Sequence, residues 1–339
     1  MIMKKILLAA VAALAIVGCS QNEEIEKAGE KAEINFGSVV SKGTRATVVE
    51  LPQLKTNGFK VSAYNTGANA LGTGTLDKPL MENVLVSWSE SETKWAPSTT
   101  YYWPSTGNVQ FFAFSSKSSI ALTASAAAQY PIIVDYTVPA AAASQEDLLV
   151  ANATGTIATS TVNFTFTHAL TQVNFSIKKK TVDNYKYVVT KLLLTGIGSK
   201  ATYDYKNGWG ATEVPIAYDC LLDSEENNNS ISASDNTTTV NLGTEPLMLL
   251  PQTLTAANIV IEYKILDDKG NEYYKTPEGG TQISIASEVW SSNKKMRYTL
   301  ALTNDATQIS WGVTNVNGWT SDDNKETNSD KETVTPPAA

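Results

Sequence analysis

Histidine and cysteine are almost missing from this chain. His168 is the only histidine, and Cys19 and Cys220 are the only cysteines, in 339 residues. One imidazole without a Cys pair or a paired carboxylate in the sequence offers neither a metal set nor a general base. No nucleophile motif, Gly-rich phosphate loop or HExxH occurs. Catalysis, a metal and a cofactor are therefore not expected, and His168 is expected to tie a bend to backbone carbonyls. Long runs of helical period are absent as well. The net charge is −8 and no basic block exists, which argues against nucleic acid as a partner. After residue 17 no second long apolar run appears, so nothing further is expected to enter a membrane.

What is present begins at the N-terminus. Lys4 and Lys5 precede an unbroken apolar run from Ile6 to Val17, too short to span a bilayer and closed by small residues. Ile16-Val17-Gly18-Cys19 has the pattern of a bacterial lipobox. Residues 1–18 are read as a lipoprotein signal peptide, cut between Gly18 and Cys19. The Cys19 thiol would take a diacylglycerol, and its new amine a further palmitate-type chain. Each buried methylene contributes about 0.8 kcal/mol, so two or more chains anchor stably. Ser20 to Glu24 then forms a polar, acidic tether like the surface-export signals of some Gram-negative lipoproteins. With Cys19 acylated, Cys220 has no disulfide partner and is expected to be a small buried hydrophobe.

The mature length, roughly 290–320 residues, suits two domains. Thr, Val, Ile and aromatics dominate, and several segments alternate with period two. Ile34 and Phe36 share a face, as do Val173, Phe175 and Ile177, then Ile259 to Ile265, then Tyr298, Leu300 and Leu302. Asp268-Lys269-Gly270-Asn271 and Lys206-Asn207-Gly208 read as tight turns. Many short strands with such punctuation imply an all-β fold of sandwiches. Only the Ala-rich stretches at 124–128 and 140–143 could hold a helical turn. The expected division is a tether and propeptide strand at 19–45, a first sandwich at 46–158, and a second at 159–319. Residues 223–238 read as a long exposed loop, with Glu225-Glu226 solvated like Asp267-Asp268. Residues 320–339, acidic and ending in Pro-Pro-Ala-Ala, are expected to be disordered.

Trp95, Tyr101, Tyr102, Trp103, Phe111, Phe112 and Phe114 concentrate large aromatics. They suit the packed centre of the first sandwich or, alternatively, a sugar-stacking platform. The same stretch, WAPSTTYYWPSTGNVQFFAFS at 95–115, is one of six that carry a resemblance. The others are EDLLVA at 146–151, VNFTFTHALTQVNFSIK at 162–178, LMLLPQ at 247–252, KMRYTLALT at 295–303 and ISWGVTNVNGW at 309–319. Together, in this order and behind a lipobox, they resemble the fimbrillin family, subunits of type V pili.

The resemblance implies two tandem transthyretin-like or immunoglobulin-like β-sandwiches and polymerisation by donor-strand exchange. It also implies an outer-membrane, cell-surface, fimbrial location and other pilin subunits as partners. In that family the N-terminal strand plugs a groove until an arginine-specific protease cuts behind it. Residues 33–40 supply such a plug here, with Ile34, Phe36 and Val40 as its apolar positions. Thr44-Arg45-Ala46 supplies the cut, with Lys42 close by. Arg45 as an ordinary exposed loop residue is the plainer alternative. Shaft subunits of the family donate an alternating C-terminal segment, and the tail after Trp319 does not fit that pattern. Shaft, tip and anchor positions all stay open, with 308–319 as the donor in the first case. Two rival classes are a non-polymerising surface lipoprotein that binds glycans, and an enzyme on a sandwich scaffold. An adhesive ligand on a host or bacterial surface is a further possible partner.

Overall fold

The computed structural model describes residues 32–39, 52–116, 118–159, 161–221, 229–304, 309–317 and 330–334. The first half contributes β1 (Phe36–Val39), β2 (Phe59–Gly67), β3 (Pro79–Ser89), β4 (Lys94–Pro97) and β5 (Asn108–Ser115). Then come β6 (Leu122–Thr123), β7 (Ile132–Thr137), β8 (Leu149–Gly155), β9 (Val162–Thr165) and β10 (Thr167–His168). The second half holds β11 (Thr171–Lys179), β12 (Lys186–Asp204), β13 (Gly208–Trp209), β14 (Glu213–Asp219), β15 (Ser230–Ile231) and β16 (Thr239–Leu249). It continues with β17 (Asn258–Leu266), β18 (Glu272–Lys275), β19 (Thr281–Ser284), β20 (Lys294–Leu302), β21 (Ile309–Asn317) and β22 (Asp330–Val334). The fold is all-β, as the period-two alternation implies.

Three sheets result. Eight strands follow the order β10-β8-β5-β2-β3-β4-β1-β9, and five the order β16-β11-β20-β21-β22. The third, nine-stranded sheet has the spine β18-β17-β12-β7-β6, with β13, β14 and β15 on β12 and β19 on β17. The alternating residues behave as expected: Val173, Ile177, Ile259, Ile261, Tyr263, Ile265, Tyr298, Leu300 and Leu302 are all fully buried. The two anticipated turns are present, with Gly208 and Gly270 at φ 77° and 84°. Asp267 accepts the Lys269 and Asn271 amides through one oxygen and so ties the second turn.

β12 is 19 residues long because it serves several partners in succession. Bulged registers at Val189/Lys191, Leu194/Ile197 and Ala201/Tyr203 bend it from β17 past β14 to β7. Gly196 sits in the second of these at φ 73°, where a Cβ would stand 2.5 Å from the Ala256 carbonyl. Only glycine fits there without strain.

Sheet membership does not follow the expected division at 158/159. β9 and β10, residues 162–168, complete the first sheet, whereas β6 and β7, residues 122–137, belong to the nine-stranded one. β5 shows why the halves do not separate. Val109, Phe111 and Ala113 point into a core closed by β1 to β4 and β8 to β9. Phe112 and Phe114, on the opposite face, enter the larger core of the second half. The Tyr205 hydroxyl donates to the Ala113 carbonyl at 2.7 Å, and its ring lies 5.4 Å from Phe112. The Trp209 indole donates to the Ala169 carbonyl at 2.6 Å.

Three other expectations need correction. A short helix, α1 (Pro52–Asn57), precedes β2, in addition to a 3₁₀ turn at Ala142–Ser144 in the second Ala-rich stretch. Within 223–238, Ser230–Ile231 pairs with β12 and Ile231 is buried, so that segment is not wholly a loop. In the tail, Asp330–Val334 pairs antiparallel with β21 instead of remaining unstructured; an extended polar segment can still satisfy its backbone groups on a neighbouring edge.

Candidate functional site

The leading strand enters the first core from outside the run of consecutive strands. β1 lies between β4 and β9, separated from its chain neighbour β2 by β3 and β4. No hairpin hydrogen bond therefore links it to β2. Its partners change along its length. The Ile34 amide donates to the Tyr101 carbonyl and the Trp103 amide to the Ala32 carbonyl, both at 2.9 Å. Phe36 faces Trp95 of β4, the one residue pair that β1 makes with β4. From Phe36 to Val39 the strand runs parallel to Val162–Thr165 of β9, and the Val162 amide donates to the Asn35 carbonyl at 2.8 Å.

Side chains hold the segment more firmly than this sparse ladder does. Ile34 is 3% and Phe36 4% exposed, whereas Glu33 and Asn35 face solvent. The Phe36 ring stacks on Phe164 at 6.0 Å, and Phe59 and Phe111 meet it edge-on, each at 6.2 Å. Phe59 is itself packed on Trp95, Phe164 and Phe166. Of the expected plug positions, the structure thus brings Ile34 and Phe36 together in the core. Val40, Lys42, Arg45 and Ala46 lie outside the described residues, as do Gly18 and Cys19.

Other residues noted in the sequence take structural places. Trp95, Trp103, Phe111, Phe112 and Phe114 are buried, and of that group only Tyr102 is well exposed. An exposed sugar-stacking platform is therefore not built from them. Burial, with Asp219 alongside, pushes the Cys220 thiol well above its usual range, and its Sγ lies 3.5 Å from the Tyr218 carbonyl. His168 does have a carboxylate partner: its Nδ1 lies 2.5 Å from Asp147 Oδ2, both residues being buried. The sequence suggests backbone carbonyls for this imidazole and not the carboxylate. The sequence hides this partner because the two lie 21 residues apart and meet only when β10 docks on β8.

One ion pair has no signal in the sequence beyond the alternation that hides it. Lys179, fully buried at the end of β11, donates to Asp183 Oδ1 at 3.0 Å and to the carbonyls of Asp183 and Tyr185. The Tyr187 hydroxyl donates to Asp183 Oδ2 at 2.6 Å. Burial works against the charged Asp183 carboxylate, but the Tyr187 and Lys179 hydrogen bonds outweigh it and hold it below its ordinary range. Among the described residues no group of three or more His, Cys, Asp or Glu could hold a metal. Among them, too, no helix is long and apolar enough to cross a membrane.

The sequence model of a family described as fimbrillin-like matches residues 44–319. Fimbrium subunit Fim1C of Phocaeicola vulgatus is 26% identical, across 96% of this chain and 99% of its own length. The crystal structure of a fimbrial protein from Bacteroides vulgatus superposes with a TM-score of 0.68 at 22% identity. That superposition covers 85% of this chain and 99% of the other, and shows a shared fold.

Proposed function

Since the chain belongs to the fimbrillin-like family, we propose that it is a structural and adhesive subunit of a cell-surface fimbrium, exported as a lipoprotein precursor. In this reading Cys19 carries the lipid in the outer membrane. An arginine-specific protease cuts between Arg45 and Ala46, and β1 leaves with the lipid. A strand from the next subunit then takes its place. The observation that carries the reading is the position of β1. It fills the first core with Ile34 and Phe36, yet has no hairpin partner; its pairing is a four-residue ladder with β9, one pair with β4 and a bridge between Glu33 and Tyr102. Cutting the connector at Arg45 would break none of the strand pairings among the described residues. Departure of the strand would leave an apolar groove with unpaired backbone groups on β4 and β9. Such an edge accepts an added strand.

The N-terminal residue of protein recovered from the cell surface tests this. Ala46 supports a processed subunit; a blocked, acylated Cys19 supports an uncut anchor or a binding lipoprotein. Arg45→Ala, with Lys42 also changed, should yield a monomeric, lipid-tethered chain. SDS-resistant polymer ladders from that double variant would remove the cut from the mechanism. Glycan binding by a non-polymerising lipoprotein gains nothing from the buried aromatics, and Fim1C and the fimbrial protein from Bacteroides vulgatus favour assembly.

A further inference from the structure

We propose that the slot of β1 selects its occupant through two side-chain seats, a branched aliphatic at the Ile34 position and an aromatic two residues later, on a strand running parallel to β9. The inference rests on the proposed removal of β1 and adds which strand of another polypeptide can replace it. Main-chain bonds to Tyr101, Trp103 and Val162 are indifferent to sequence, so they cannot discriminate among strands. Glu33 and Asn35 are exposed and leave those positions free to vary. Among the described side chains, discrimination therefore falls on the two buried seats, with Gly37 beside them, where an added Cβ would press against the Asn163 side chain. The aromatic seat is walled by Phe59, Phe111 and Phe164, whose ring centres lie 6.0–6.2 Å from that of Phe36. A smaller side chain there would leave a void lined by rings that are packed on one another and cannot collapse.

An independent observation comes from the second half of the chain. β11 contains Val173-Asn174-Phe175, the same aliphatic–Asn–Phe order as Ile34-Asn35-Phe36. It runs parallel to β20, as β1 does to β9. Phe175 stacks on Tyr298 of β20 at 5.8 Å, as Phe36 stacks on Phe164 of β9 at 6.0 Å. The chain thus uses one triplet chemistry in β1 and in β11, and β9 carries it as well, as Val162-Asn163-Phe164. Where the strand is permanent, ladders on both sides lock it, with β16 and with β20. Where it is exchangeable, the ladder is short and the two seats carry the selection.

The test uses full-length chain with Cys19→Ala, cleaved after Arg45, and fluorescent peptides spanning residues 32–40. Binding is read by anisotropy as the peptide replaces the cut-off fragment. The native peptide should bind, and Glu33→Lys or Asn35→Ser should stay within about threefold of it, as exposed positions do. Ile34→Ala should weaken binding about thirtyfold and Phe36→Ala roughly a hundredfold, from lost burial and the void left behind. If the alanine peptides match the native one, seat selection is wrong although exchange stands. If the native peptide fails to bind a cut chain that circular dichroism shows folded, the removable strand itself is wrong. Should the cut chain unfold, recovery of its β signal on adding each peptide supplies the same ranking.

Discussion

At the scale of single residues, buried polar groups set the sharpest expectations. Lys179 has no solvent and is neutralised by Asp183, so Lys179→Ala removes the carboxylate's counter-charge and leaves it to the Tyr187 and Thr181 hydroxyls and the Tyr185 amide. Breaking a buried pair in this way should cost about 3–5 kcal/mol, measured as a lower urea midpoint. The sign of the pH dependence comes from Asp183. Its folded pKa lies below its unfolded value, so its charge stabilises the fold above about pH 4. That contribution disappears as pH falls through the folded value. Acid titration of stability should therefore flatten in Asp183→Asn relative to the parent. Cys220 gives a simpler check: buried and with its thiol pushed up, it should resist thiol reagents at pH 8 until the chain is denatured.

At the scale of elements, the leading strand is legible because its two apolar residues sit at i and i+2 between polar neighbours. The structure places Ile34 and Phe36 in the core as that spacing requires. Phe36→Ala in the uncut chain should destabilise by about 3–5 kcal/mol, read by thermal or urea unfolding. Gly196→Val should be as severe for a different reason: a branched residue is strained at φ 73° and its Cβ meets the Ala256 carbonyl. α1 escapes sequence reading although its signals are there, with Pro52 opening it and Asn57-Gly58 closing it. Six residues hold too little apolar periodicity to register. The Gly58 amide closes that helix on the Leu54 carbonyl at 2.8 Å with Gly58 at φ 69°. β22 escapes for the opposite reason, since its composition says nothing of the backbone edge that β21 offers.

At the scale of the whole molecule, fold class can be read from alternation and turn residues, but sheet membership cannot. Nothing local in residues 122–137 says that Ile133 and Tyr136 pack against β12 instead of the first sheet. Likewise β5, with VQFFAF at its centre, reads as a strand buried on both faces without saying that its faces serve different cores. Its sharing predicts cooperativity. Phe112 and Phe114 belong to the second core while Phe111 belongs to the first, so calorimetry should show a single transition. A fragment starting at residue 159 lacks β7 and should fail to fold when expressed alone.

The β7–β12 pairing also bears on how the molecule would behave when pulled. A chain of subunits under flow is stretched along its axis, and each link must pass that load onward. Here the two halves are joined covalently at residues 169–170 and, separately, through the antiparallel ladder from Ile132 to Thr137. Tension entering the first half thus divides between a peptide bond and a sheet, and the halves cannot swing apart about a single hinge. Rigidity of the filament would then be a property of each subunit's interior as well as of the contacts between subunits.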